Sequence, residues 1–284
     1  MKIQALALVA LLVVACNRQS SPQGNGTASE PSQAAGTAGV AERAVPAVPA
    51  PADVGASERD ASAIAALERM GGYLRGLTTF QIRGETSRDE VLDDGQSVEF
   101  GAVVDMIVQR PNRIRAEVTS DRKHRLYFGD GKTFSVWARR MNYYATIPAP
   151  ATLRELADTL ADKYDLELPL VDLFYWGERK SLDEIRGASD IGASQVDGVT
   201  CEHYAFRQEG ADWQVWIQQG DYPLPRKLVI RTTTDPARPQ YTATLTWNLA
   251  PSYDDTAFTF VPPKDAKRIT LVEAPAPAPA TTPH

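Results

Sequence analysis

The sequence predicts a mainly β fold with accessory helices: one antiparallel, strongly curved sheet with helices packed on one side. Three observations carry this prediction. A hydrophobic period of two recurs along the chain, strictly over 241–249 and, apart from Val103 and Ile107 on the other side, over 96–109. Asp130-Gly131 and Asp197-Gly198 are turn signals of the kind that join adjacent strands. Helical spacing occurs before the first run of strands and again between the two runs, giving the order helix, meander, helices, meander.

The elements follow in order within a globular part assigned to 57–273. Ser57 is placed to cap a helix with Asp60 in its first turn, and Ile64, Leu67, Gly71 and Leu74 form one stripe. Over 96–109, Val98, Phe100, Ala102, Val104, Met106 and Val108 fall on one side. Ile114, Ala116 and Val118 alternate with Arg113, Arg115 and Glu117, and Phe128 and Phe134 flank the Asp130-Gly131 turn. Tyr143, Ala145 and Ile147 close the first meander. Thr152-x-x-Glu155 is a capping box ahead of Leu153, Leu156, Leu160 and Tyr164 at helical spacing. Residues 168–177, LPLVDLFYWG, are the most apolar and aromatic segment after the N-terminal run. Ser181-x-x-Glu184 suggests another short helix start. Strands then resume: Val199 to Arg207; Trp213, Val215 and Ile217; Leu228, Ile230 and Thr232; and Tyr241, Ala243, Leu245, Trp247 and Leu249. Phe258 to Pro263 reads as a last short strand ended by prolines.

The chain termini read differently. Residues 1–15 form an export signal: Lys2 is its positive region, and the apolar run from Ile3 to Val14 is too short for a hydrocarbon core that needs ~20 residues. Val13-Val14-Ala15-Cys16 resembles the lipobox of bacterial lipoproteins. That resemblance implies cleavage before Cys16 and acylation of its thiol and new amine, with two or more chains anchoring stably at ~0.8 kcal/mol per buried methylene. An ordinary signal with a chance cysteine is the alternative. Asn17, rather than Asp, points by the enterobacterial sorting habit to the outer membrane. Residues 16–56 are rich in Ala, Pro, Ser and Gly, and forty such residues span ~120 Å at ~3.1 Å each, as a tether would. Residues 274–284 read as a disordered tail.

Composition excludes some classes. The formal charge is −6, or −7 without Lys2, which gives no reason to expect nucleic acid or anionic lipid as a partner. With Cys16 acylated, Cys201 has no disulfide partner, so stability has to come from a packed core.

Several segments resemble a family of predicted periplasmic proteins of unknown function within the LolA/LolB/LppX-like superfamily. They are Asp130-Gly131-Lys132-Thr133, Asn142-Tyr143-Tyr144-Ala145, Leu168 to Leu173, Asp197 to His203, Trp213 to Trp216, Pro223 to Lys227 and Phe258 to Pro263. The match covers most of 60–270, in order. It implies a LolA-like incomplete barrel wrapped around helices on its concave side, with an apolar cavity there. No individual residue role carries over from it.

Catalytic chemistry finds little support. Gly192-Ala193-Ser194-Gln195-Val196 lacks the second glycine of a nucleophile elbow, and there is no HExxH, CxxC or Walker A pattern. Asp93-Asp94 and Asp254-Asp255 are turn residues before they are a dyad. Cys201 and His203 share one strand face and form a candidate thiol–imidazole pair, against the ordinary reading of a half-buried cysteine beside a hydrogen-bonded histidine. Candidate ligand-binding residues are Leu170, Leu173, Phe174, Trp176, Trp213 and Trp216. The aromatic run around Phe174 and Trp176 can line an apolar pocket or plug the half-barrel as core, while Trp213 and Trp216 point to opposite faces. Arg110, Arg113, Arg115, Arg122, Lys123 and Arg125 make the first meander locally basic, as a headgroup site or a solvated face.

The expected function is non-enzymatic and needs no cofactor or metal: a membrane-tethered periplasmic protein that binds or carries a lipid or acyl chain in a half-barrel cavity. The rival is a protein-interaction or envelope-stress sensor module on the same fold. The expectation turns on whether the concave interior has room for an alkyl tail.

Overall fold

The computed structural model describes residues 59–176 and 178–273. The signal 1–15, Cys16, the 16–56 tether, Ser57, Gly177 and the 274–284 tail lie outside the described residues. Helix α1 (Ala61–Gly76) is capped by Asp60, whose carboxylate accepts from the Ser62 amide at 2.7 Å. It turns Ala63, Ala66, Leu67, Met70, Gly71 and Leu74 inward, with Ile64 at the margin.

The first meander holds β1 (Thr79–Val91), β2 (Ser97–Gln109), β3 (Arg113–Thr119), β4 (His124–Asp130), β5 (Thr133–Ala138) and β6 (Tyr143–Pro148). At the β4–β5 turn Gly131 takes φ +92°, and the Asp130 carboxylate accepts from the amides of Lys132 and Thr133. Helix α2 (Leu153–Tyr164) follows, with Thr152 Oγ1 accepting from the Glu155 amide at 3.1 Å. A 3-10 turn (Val171–Phe174) and the short helix α3 (Arg179–Asp183) lead to the second meander. That meander holds β7 (Ile185–Val196), β8 (Val199–Gln208), β9 (Ala211–Gln218), β10 (Pro225–Thr232) and β11 (Gln240–Asn248).

Two local expectations are corrected. Ser181 lies inside α3, whose start falls at Glu178, so Ser181-x-x-Glu184 is not a helix start. Phe258 to Pro263 is not a strand: Asp254 accepts from the Thr256 amide and winds Asp255–Phe258 into a 3-10 turn, and Pro262 and Pro263 offer no amide to a ladder. The last strand is instead β12 (Lys267–Arg268), which lies parallel to β6.

All twelve strands among the described residues form one sheet in the order β12-β6-β5-β4-β3-β2-β1-β11-β10-β9-β8-β7, with β12 at one edge and β7, bridged at Ala188 by Arg59, at the other. Apart from β12 every pairing is antiparallel, and β1–β11 joins the two meanders. Laid flat, twelve strands at ~4.8 Å spacing would be ~50 Å wide. Yet Tyr127 and Phe134 near one edge share a continuous core with Tyr204 and Trp213 near the other. The sheet therefore curls around α1, α2 and the 3-10 turn, as an unclosed barrel. Cross-strand register lines up the inner face, for example Val136–Tyr127–Ala116–Met106–Ile82–Trp247.

The C-terminal segment crosses the opposite, outer face of β3–β6. Phe258 is fully buried there under the Arg113 guanidinium, 4.4 Å from its ring centroid, and Phe260 packs among Phe128, Trp137 and Tyr144 at 5.2–6.3 Å.

Candidate functional site

The chain leaves the first meander at β6 and enters the second at β7, on opposite sides of the sheet. Residues 149–184 must span that distance, and they do so across the concave face. Leu153, Leu156, Leu160, Leu168, Leu170, Leu173, Phe174 and Leu182 turn inward and join the core. Leu170 sits over Gly84 of β1: a Cβ at Gly84 would stand 3.3 Å from Leu170 Cδ1 and 3.4 Å from Leu245 Cδ2. Glycine here makes room for the insert.

The insert answers its polar needs internally. Arg154 pairs with Glu178 and Asp158 and lies 4.6 Å over the Tyr175 ring. The Tyr175 hydroxyl donates to Asp158 at 2.8 Å, and burial pushes its titration well above the ordinary tyrosine range. Among the described residues, the direct polar links from 154–176 to the rest of the domain are few. Arg75 donates to the Trp176 carbonyl at 2.9 Å, Arg88 lies 3.9 Å from Glu167, and Arg110 stands 5.8 Å over the Phe174 ring.

Two features hold the insert in an uncomfortable state. Leu170 adopts φ +53°, a left-handed conformation that costs a side-chain-bearing residue about 1–2 kcal/mol. Asp172 is half-buried in the 3-10 turn, and loss of hydration, reinforced by nearby Glu167, pushes its carboxyl up to about 6. Asp172 in turn helps raise half-buried Tyr241 above the ordinary tyrosine range, after loss of hydration itself. The sequence reading of 168–177 did not single out Asp172. The available signal was one carboxylate set between Val171 and Leu173 in an otherwise apolar run.

The structure brings Leu170, Leu173 and Phe174 together beneath the insert, each 6–8% exposed. Trp213 joins the same core from β9, stacked on Phe206 at 4.3 Å and donating to Gln208 at 2.8 Å. Trp176 is half-buried at the rim. Trp216 lies on the other face of the sheet, stacked on His203 at 4.0 Å with Lys227 Nζ 5.0 Å from its ring. The cavity expected on the concave face is filled, in this conformation, by side chains of α1, α2 and the 3-10 turn. The hollow that remains on this side, about 140 Å³, lies between α1 and the β8–β9 part of the sheet, among Arg69, Glu202, Tyr204, Ile217, Gln218 and Pro223. That is below the ~300 Å³ at which ligand pockets begin. A wider, shallow cleft of about 430 Å³ is polar, lined by Arg207, Asp212, Asp235 and Arg238.

Cys201 and His203 share the outer face without meeting each other in a hydrogen bond. Cys201 is fully buried, its thiol pushed up by loss of hydration, with Sγ 3.4 Å from the Val199 carbonyl. His203 Nε2 pairs with Gln214 Oε1 at 2.9 Å, and partial burial pushes its imidazole down. Neither shift creates a thiolate–imidazolium pair, which needs a depressed thiol. Among the described residues no group of three or more His, Cys, Asp or Glu is placed to hold a metal ion.

Comparison with curated proteins found no match. Solved structures are similar to this chain, three of them as follows. An uncharacterized conserved protein from Thermus thermophilus is 12% identical, with a TM-score of 0.44 over 74% of this chain and 99% of that one. Lipoprotein LppX from Mycobacterium tuberculosis is 14% identical, with a TM-score of 0.44 over 69% of this chain and 100% of that one. LprF from Mycobacterium bovis is 13% identical, with a TM-score of 0.41 over 68% and 95%. Residues 63–272 match a family model described as "Predicted periplasmic protein (DUF2092)", and the chain belongs to that family.

Proposed function

We propose that this protein is a membrane-tethered periplasmic lipoprotein, not an enzyme, that binds or carries a lipid or acyl chain in its half-barrel, where the ligand replaces the 149–184 insert. One observation carries the reading: from Arg154 to Trp176 the insert braces itself and meets the sheet through apolar side chains. An alkyl chain can take over those contacts, since both bury apolar area at ~25 cal/mol per Å². Strain at Leu170 and burial of Asp172 lower the cost of release. Acylation at Cys16, the 16–56 tether and Asn17 supply an outer-membrane anchor in this reading.

Two experiments test it. The delipidated protein is titrated with a fluorescent fatty acid while amide exchange is followed. Binding should raise exchange in 165–176 while the amides of β2 and β3 stay protected, and a protein that binds no fatty acid overturns the carrier. Palmitate labelling in cells tests the anchor, which fails if Cys16 takes no label. The filled concave face favours a second reading, a protein-interaction or envelope-stress sensor module. Recovery of a stoichiometric protein partner with no co-purified lipid would select it.

A further inference from the structure

The outer edge of the sheet gathers two surface properties that are scattered elsewhere. Eight large apolar side chains are exposed among the described residues, and four of them lie at one corner, Met141 (64%), Tyr143 (37%), Val261 (78%) and Ile269 (47%), with Val272 (82%) three residues further along the chain. Pairing places them together. Lys267 is opposite Tyr143, the Ile269 amide donates to the Tyr144 carbonyl at 2.8 Å, and Val261 follows Phe260, which packs on Tyr144. The same corner carries exposed Arg139, Arg140, Lys264, Lys267 and Arg268, against the carboxylates Asp121, Asp265 and Glu273. None of those five cations pairs with a carboxylate among the described residues. Arg140 donates to the backbone carbonyls of Ser120 and Asp121, and Arg139 lies 5.8 Å from the Trp137 ring.

We propose that this edge, β12 with the β5–β6 turn, docks on an anionic phospholipid surface. Unpaired cations flanking exposed apolar side chains suit the bilayer interface, where headgroup phosphates meet the cations and the apolar side chains enter the acyl boundary. The chain's net charge of −6 does not oppose this, because screening over ~8 Å leaves the local field in control. An acidic protein would match the cations and leave Met141, Ile269 and Val272 unexplained. Reach is no obstacle: the 42 residues between Cys16 and Arg59 extend to ~130 Å at ~3.1 Å each. The contact is separate from any ligand on the concave face.

The test uses the chain from residue 16 onward with Cys16→Ser, so that no acyl chain contributes. It is co-sedimented with phosphatidylcholine vesicles, with and without phosphatidylglycerol. Binding should be confined to anionic vesicles and weaken on raising salt. Arg139→Glu with Lys267→Glu should lower it by at least tenfold, since each interfacial cation is worth about fivefold. The same charge change at Arg186 and Arg231 should leave it within twofold. Met141→Ser in the β5–β6 turn tests the apolar part without touching β12, and should weaken the binding that survives high salt. Equal binding to neutral vesicles, no binding to either, or equal loss in both charge variants overturns the proposal. Fatty-acid binding by the concave face can succeed or fail independently of all three.

Discussion

Replacing Asp172 by Asn should stabilise this protein at neutral pH, because the half-buried carboxylate is charged in a place that hydrates it poorly. Loss of hydration, with Glu167 nearby, pushes its carboxyl up to about 6 from an ordinary 3.8. A shift of that size corresponds to ~3 kcal/mol at ~1.4 kcal/mol per pH unit. The sign follows from proton binding. Between about pH 4 and 6 the folded state holds this proton more tightly than the unfolded chain, so stability falls as pH rises through that window. Above it the full cost stands. Asn carries no charge, so the stability difference between variant and wild type should be near zero at pH 4 and grow to about 2–3 kcal/mol by pH 7. Paired denaturation curves across that range measure it, with amide exchange at pH 7 as a second readout. Protection should increase over 165–176 more than in β2 or β3. Because the variant holds the insert closed, apparent affinity for a fatty acid should fall by about 30–100-fold. A difference that does not change with pH, or a variant less stable than wild type at pH 7, would refute the assignment of strain to Asp172.

The other expectations follow from named contacts. Gly84→Val places bulk where Leu170 Cδ1 already stands 3.3 Å from a modest Cβ, so the domain should lose about 1–3 kcal/mol, with faster exchange over 165–176. Unchanged exchange in the insert would mean that Leu170 does not rest there in solution. Phe258→Ala empties a fully buried site under Arg113 and should cost about 3–5 kcal/mol in chemical denaturation. A cost under 1 kcal/mol would show that the outer-face crossing is dispensable. Cys201 should resist thiol reagents until denaturant is added, and rapid native labelling would contradict its burial.

Most of the sheet was readable because one buried face imposes a period of two. Val104, Met106 and Val108 in β2, and Ala243 and Leu245 in β11, kept that period against a single continuous core. Two strands hid for opposite reasons. In β1 the alternation ends after Phe80, Ile82 and Gly84, because from Glu85 onward the strand runs beyond most of the core. In β7 two register shifts, at 185/187 and 190/192, break the alternation. The 168–177 segment was visible as an apolar run, yet its arrangement was not. That Leu170 would need a left-handed backbone and a glycine beneath it depends on a strand 86 residues earlier, which no local pattern records.

The pairing of β1 with β11 has a consequence for biogenesis. Gly84 meets Leu245, 161 positions later, so the first meander waits with an unsatisfied edge for most of the chain's length. At ~5–20 residues per second that delay is ~8–30 s during synthesis. Long-range closure of this kind also folds slowly. Until β11 arrives, the exposed edge of β1 is a template on which the ribbons of two nascent chains can pair.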